Sequence, residues 1–143
     1  LAAALMLGAQ GALMGTRFYA ATEALGHRKA KEIIVGARGG DTRRTRIFDI
    51  VREHAWPEPY TGRAIRNSFM ERWDGREDDL AAALDEEIPR FQAAASDGDV
   101  DTAMVWAGEA VDLISDISPA AELVRRIGAE AEACLRHGGE LLG

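Results

Sequence analysis

The apolar positions change period along the chain. Leu1 to Leu7 reads Leu-Ala-Ala-Ala-Leu-Met-Leu, helix formers throughout, and Gly8 stands where a left-handed C-cap is easiest without a Cβ. A helix is therefore expected to close at about Gly8. The next run, Gly11 to Met14, is too short for a helix and apolar on both faces, which predicts a strand buried on both sides in a parallel sheet. A helix, a tight turn, a buried strand and the Gly15-Thr16 step together read as α/β.

Downstream the pattern becomes mostly helical. Thr22 is placed to cap a helix from Glu23 through Ile33 and Ile34 to about Ala37, with Gly36, Gly39 and Gly40 breaking it. Asp41 to Ile50 alternates Thr and Arg before Ile47-Phe48, as a short half-buried strand or extended arm does. Pro57 and Pro59 then enforce an extended loop between His54 and Tyr60, whose Trp56 and Tyr60 cover neighbouring structure or pack a substrate. Ile65, Phe69 and Trp73, at i, i+4 and i+8, predict a helix over Gly62 to Trp73. Leu80, Leu84, Ile88 and Phe91 predict another over Glu77 to Ser96, kinked or split at Pro89. Ala103, Ala107, Ala110, Val111 and Ile114 form the inward face of a helix starting at Val100. Gly108 falls in its middle at a cost of about 1 kcal/mol against alanine, which implies close approach by another element or a ligand. Ser118 caps and Pro119 opens a last helix, with Leu123, Val124, Ile127, Ala131, Cys134 and Leu135 on one face and Gly138-Gly139 ending it.

Charge narrows the classes of partner. The chain has 17 basic and 24 acidic residues, a net of −7, and the Arg38, Arg43, Arg44 and Arg46 cluster is not interleaved with aromatics. This argues against a nucleic-acid surface and for a solvated or salt-bridged face. No apolar run reaches membrane-spanning length. The single Cys134 cannot form an internal disulfide, and the pattern suggests a reduced, cytoplasmic protein in which this thiol is a small core residue. His27, beside Arg28 and Lys29, has no Asp, Glu or second His at metal spacing and reads as a surface histidine. Arg63 and Arg66 lie off the Ile65 stripe, where a structural ion pair is expected ahead of a phosphate contact.

The chemistry concentrates at the step after the buried strand. Gly15 lets main-chain N–H groups approach a ligand with no Cβ in the way, and Thr16 adds a hydroxyl. Together they suit a phosphate, each hydrogen bond to that charge contributing about 1.5–3 kcal/mol. An ordinary turn has the same Gly-Thr signature.

The segment from Leu1 to Phe18, including Gly8-Ala-Gln-Gly-Ala-Leu-Met-Gly-Thr-Arg-Phe18, resembles the last βα unit of the FMN-dependent nitronate monooxygenases and of the related enoyl-acyl-carrier-protein reductase II. Thr45-Arg-Ile-Phe-Asp49, Gly62-Arg-Ala-Ile-Arg-Asn67, Gly98-Asp99, Trp106-Ala-Gly-Glu-Ala-Val111 and Ser118-Pro-Ala-Ala-Glu-Leu123 continue the likeness along nearly the whole chain. The resemblance implies residues 1–40 as the last βα unit of a (β/α)8 barrel and residues 41–143 as a mostly helical region over the barrel top. It further implies FMN held through its phosphate by Gly15 and Thr16, and a small nitronate substrate oxidised with oxygen. The family usually reads Ala-Gly-Gln near the flavin where this chain has Ala107-Gly108-Glu109. The chain opens without an initiator Met and offers one clear strand with at most one weak further candidate beside it, so it is expected to be the carboxy-terminal part of a longer protein. On that expectation the catalytic base lies upstream, and none of His27, His54 and His137 takes the role. The enoyl reductase, and a non-catalytic helical interaction domain, remain alternatives.

Overall fold

The computed structural model describes residues 1–141. Helix α1 (Ala2–Met6) stops where its composition predicts, and Gly8 adopts the left-handed φ of +92°. The segment after it does not form the expected strand. Residues 9–14 run without secondary structure, and Leu13 is fully exposed. A parallel strand takes its hydrogen bonds from neighbours on either side, and among the described residues no strand lies beside this one. The short α2 (Thr16–Tyr19) follows, with Gly15 as its N-cap residue.

Helix α3 (Arg28–Gly36) starts later than the composition suggests, because the cap is His27 and not Thr22. The His27 Nδ1 accepts the Lys29 N–H at 3.3 Å, while the Thr22 N–H is used by the Ser118 carbonyl at 3.1 Å. Strand β1 (Thr42–Thr45) fulfils the half-buried expectation with its two end residues inward. It pairs antiparallel with β2 (Gly62–Ile65), Thr42 opposite Ile65 and Thr45 opposite Gly62, and α4 (Ile47–Val51) lies between them in sequence.

The helix expected from Gly62 to Trp73 is thus two elements. Gly62 to Ile65 find ladder partners in β1, and α5 (Ser68–Trp73) begins only after Asn67, whose side chain accepts the Met70 N–H at 2.9 Å. A four-residue spacing between Ile65 and Phe69 is met equally by a strand end followed by a helix. The next break falls at Ala83, between α6 (Glu77–Ala82) and α7 (Leu84–Asp97), and Pro89 is carried inside α7. Gly98 ends α7 at φ +66°, and a Cβ there would fall 2.2 Å from the His27 Nδ1. Glycine is required on both counts.

The helix expected over Val100 to Ile114 is replaced by an extended segment and a 3₁₀ turn at Glu109–Leu113. Its backbone is recruited elsewhere: the Asn67 amide donates to the Val100 and Ala103 carbonyls, the Ile65 N–H to the Val105 carbonyl, and the Ala107 N–H to the Arg63 carbonyl. Gly108 is therefore not in a helix; its φ of −78° and ψ of 166° are extended. The last helix, α8 (Ala120–Glu140), runs through Gly138-Gly139, and its first free N–H, from Ala120, goes to the Glu23 carboxylate at 3.0 Å while the Ser118 hydroxyl turns to Asp116. Leu123 and Ala131 are buried, but Val124 and Cys134 face outward. Cys134 is thus a surface residue, because among the described residues nothing packs on that side of α8.

Two buried clusters hold these elements. Phe48, Phe69, Phe91, Met70, Trp73 and Leu80 form one, between α4, α5, α6 and α7. Ala20, Ile34, Ile65, Val105 and Val111 form the other, joining α3 to β2 and the extended segment. Trp106 packs against the first, and its edge meets Phe48 at a centroid distance of 5.8 Å.

Candidate functional site: the Gly15–Thr16 pocket

The Gly15-Thr16 step and the Trp106-Ala-Gly-Glu segment, distant in sequence, meet in space. The Gly108 N–H donates to the Thr16 Oγ1 at 2.9 Å. Gly15, Thr16, Tyr19, Arg63, Trp106 and Gly108 surround a pocket of about 300 Å³. The close approach expected at Gly108 is therefore made by Thr16, across the pocket mouth rather than inside a helix.

Each wall has a local cause. Thr16 opens α2, so the N–H groups of Thr16, Arg17 and Phe18 have no intrahelical acceptor, and among the described residues they find no other. The Thr16 oxygen already accepts from Gly108, and its own O–H has no acceptor among the described residues. Trp106 packs against Gly62, where a Cβ would fall 2.3 Å from the ring. Arg63 reaches the pocket from β2, anchored by the Thr42 Oγ1 at 3.1 Å and ion-paired with Glu109 at 2.9 Å. The expected structural pairing of Arg63 is thus met, and its partner is the residue that departs from the family's Ala-Gly-Gln. Burial of Tyr19 pushes its phenol above the ordinary value.

Arg17 fixes the loop from behind. Its side chain is 14 % exposed; Nη1 donates to the Asp116 carbonyl at 2.9 Å, and Nη2 lies 2.8 Å from the Asp116 carboxylate, out of line for a hydrogen bond. Asp116 also takes two hydrogen bonds from Arg126 of α8, at 2.8 and 3.2 Å, and one from the Ser118 hydroxyl. The Arg126 hydrogen bonds, followed by that of Ser118 and the Arg17 charge, hold the Asp116 carboxyl well below the usual carboxylate range. No spacing in the sequence indicates this cluster, since its members lie on separate elements.

A lowered folded-state pKa means that the stabilisation is complete above the unfolded value of 3.8 and is lost as pH falls below it. Asp116→Asn is therefore expected to lower stability by about 1 kcal/mol at neutral pH, the scale of a partly exposed ion-pair network. The gap from wild type should shrink progressively below about pH 4. Thermal midpoints of both proteins at pH 7 and pH 3 check this; an equal gap at both would dismiss the ionic origin.

The three histidines stay out of the pocket. His27 caps α3, His54 borders a different cavity, and His137 is an exposed residue 3.6 Å from Glu140. Among the described residues no group of His, Cys, Asp and Glu can hold a metal ion, and no helix is long and apolar enough to cross a membrane.

The fold is a mixed α/β arrangement in which a Gly-Thr turn and a distant Trp-Ala-Gly segment enclose one small pocket. The profile of the nitronate monooxygenase family matches residues 1–130, and the chain belongs to that family. It is 37 % identical over 134 residues to a nitronate monooxygenase of Neurospora crassa, covering 90 % of this chain and 34 % of that protein. It is 35 % identical over 138 residues to the nitronate monooxygenase npaC of Metarhizium robertsii, covering 94 % and 38 %. Among solved structures, FabK from Thermotoga maritima superimposes with a TM-score of 0.75 at 27 % identity, over 95 % of this chain and 41 % of FabK. The nitroalkane oxidase of Streptomyces ansochromogenes gives 0.71 at 27 % identity, over 94 % and 37 %. The chain spans 34 % and 38 % of the length of the two nitronate monooxygenases.

Proposed function

We propose that this chain is the carboxy-terminal part of an FMN-dependent nitronate monooxygenase, a cytoplasmic enzyme acting on a small nitronate and oxygen. In this reading residues 1–40 are the last βα unit of a (β/α)8 barrel and residues 41–143 a mostly helical region packed on it. The remaining strands of the barrel, and the catalytic base, belong to the amino-terminal part. The exposed run of residues 9–14 is then the strand that those neighbours complete.

The observation that carries the reading is the Gly108–Thr16 hydrogen bond, which joins the two segments of family resemblance around one pocket. The donor set suits a phosphate: N–H groups of Thr16, Arg17 and Phe18 and a Thr16 hydroxyl that have no acceptor among the described residues, and no Cβ on Gly15. Gly15 and Thr16 are accordingly assigned to the phosphate of FMN. Arg63 adds positive charge at the pocket, reduced by its pairing with Glu109, and Trp106 supplies an aromatic wall. Bound FMN supplies the redox chemistry, and the protein binds and orients it.

Thr16→Val in the full-length flavoprotein removes the hydroxyl but keeps the shape. Its FMN affinity is expected to fall about 10- to 100-fold, the loss of one hydrogen bond to a charged group. Unchanged affinity would remove Thr16 from the site. A second reading, an enoyl-acyl-carrier-protein reductase, is favoured by the likeness to FabK. Anaerobic mixing separates the two: bleaching of the flavin by a nitronate but not by NADPH supports the monooxygenase, and rapid bleaching by NADPH the reductase.

A further inference from the structure

A second, larger cavity of about 710 Å³ lies against the Gly15–Thr16 pocket, with Trp106 lining both. Its walls are chemically distinct. Trp56 and Tyr60, from the loop between α4 and β2, and Trp106 supply aromatic surface, while Asp49, Arg52 and His54 supply polar groups at the α4 end. The volume is within the range of sites that enclose an organic ligand.

The polar end is not internally satisfied. Arg52 is half-buried and, among the described residues, its guanidinium makes no hydrogen bond or ion pair, although most arginines of this chain are paired. Asp49 is 7 % exposed, and its carboxylate accepts no hydrogen bond among the described residues. Burial pushes the Asp49 carboxyl up from its ordinary value, against smaller opposing effects of Arg52, His54 and Arg46. The Arg52 guanidinium thus lines the cavity without a partner among the described residues, with the Asp49 carboxyl and the His54 imidazole beside it.

The loop carrying Trp56 and Tyr60 is tied at two points. Arg46 pairs with Glu58, and the Arg44 Nη1 donates to the Thr61 carbonyl at 2.8 Å. Trp56 and Tyr60 themselves are largely exposed. A folded loop that presents two aromatic rings to a cavity, rather than to the core, leaves apolar surface for a ligand to cover.

We propose that this cavity is a binding site for an aryl-bearing organic anion, its two-oxygen head forked onto Arg52 and its ring packed among Trp56, Tyr60 and Trp106. Arginine matches a planar carboxylate bidentately. The assignment does not depend on the flavin reading, since no residue of the cavity other than Trp106 borders the Gly15–Thr16 pocket.

The test titrates the full-length protein, freed of flavin, with phenylacetate, its neutral amide phenylacetamide, and propionate, following tryptophan fluorescence and the amide NMR shifts of residues 49–62. Phenylacetate is expected to saturate, with shifts confined to this cavity, and to bind at least tenfold more tightly than either of the other two. Arg52→Gln should abolish the preference for phenylacetate over phenylacetamide, and Trp56→Ala the preference over propionate. Equal binding of all three compounds, no saturation by phenylacetate, or an unaltered preference in a folded Arg52→Gln protein would each overturn the proposal. Because the wild-type preference is itself a readout, the result stands even where a variant does not fold. Loss of flavin binding elsewhere leaves it unmoved.

Discussion

Phe48→Ala is expected to destabilise the protein by about 3–5 kcal/mol, the range for removing a fully buried aromatic side chain. Phe48 is 0 % exposed and touches three other rings, with centroid distances of 5.8 Å to Phe69, 6.1 Å to Phe91 and 5.8 Å to Trp106. These rings come from α5, α7 and the extended segment, so the cavity left behind is lined by elements that cannot all move inward together. Against a total stability of about 5–15 kcal/mol for a domain of ordinary size, the loss is a large fraction. Urea unfolding followed by circular dichroism measures it. A change below about 1 kcal/mol would mean that the site collapses freely, against the close packing implied by the aromatic contacts. Trp106 should also lose its fixed orientation, so the fluorescence of Phe48→Ala is expected to change even before unfolding.

Asn67→Ala is expected to cost about 2–4 kcal/mol, from a lost helix cap together with buried backbone groups left unpaired. The buried Asn67 side chain does two jobs at once. Its oxygen accepts the Met70 N–H at 2.9 Å and starts α5, and its amide donates to the Val100 and Ala103 carbonyls at 3.1 and 3.0 Å. The second job holds the extended segment that carries Trp106 and Gly108. Asn67→Asp separates the two: aspartate caps as well as asparagine, but it presents a carboxylate to two carbonyl oxygens. Aspartate is therefore expected to restore little of the stability, and hydrogen exchange of residues 100–107 should speed up in both variants. Full rescue by aspartate would show that capping alone matters.

The sequence expectations failed where a short pattern admitted two structures. Ile65, Phe69 and Trp73 were spaced for one helix, yet Ile65 belongs to β2 and the other two to α5. The three are all buried in either arrangement, so periodicity alone carried no information on the choice; the β1 ladder and the Asn67 cap made it. Ala103, Ala107 and Val111 likewise suited a helix face, and they are buried, but on an extended segment and a 3₁₀ turn. The candidate pocket was only half visible. Gly15 and Thr16 stood out as a turn of small and hydroxyl residues, and Gly108 as a glycine needing an explanation, but their contact is a tertiary one. Arg17, Asp116 and Arg126 carried no local signal at all.

By itself the sequence determined what local chemistry decides: the end of α1 at Gly8, the half-buried β1, the extended proline loop, and the family likeness running from Gly15-Thr16 to Trp106-Ala-Gly. Those features rest on backbone freedom, the strand preference of threonine and ring constraints that act within a few residues. The tertiary structure alone decided which backbone groups would be paired across the chain. A stretch able to become helix or strand takes the form in which its N–H and C=O groups find partners, and for residues 100–107 those partners are Asn67 and β2, whereas residues 10–14 find none among the described residues.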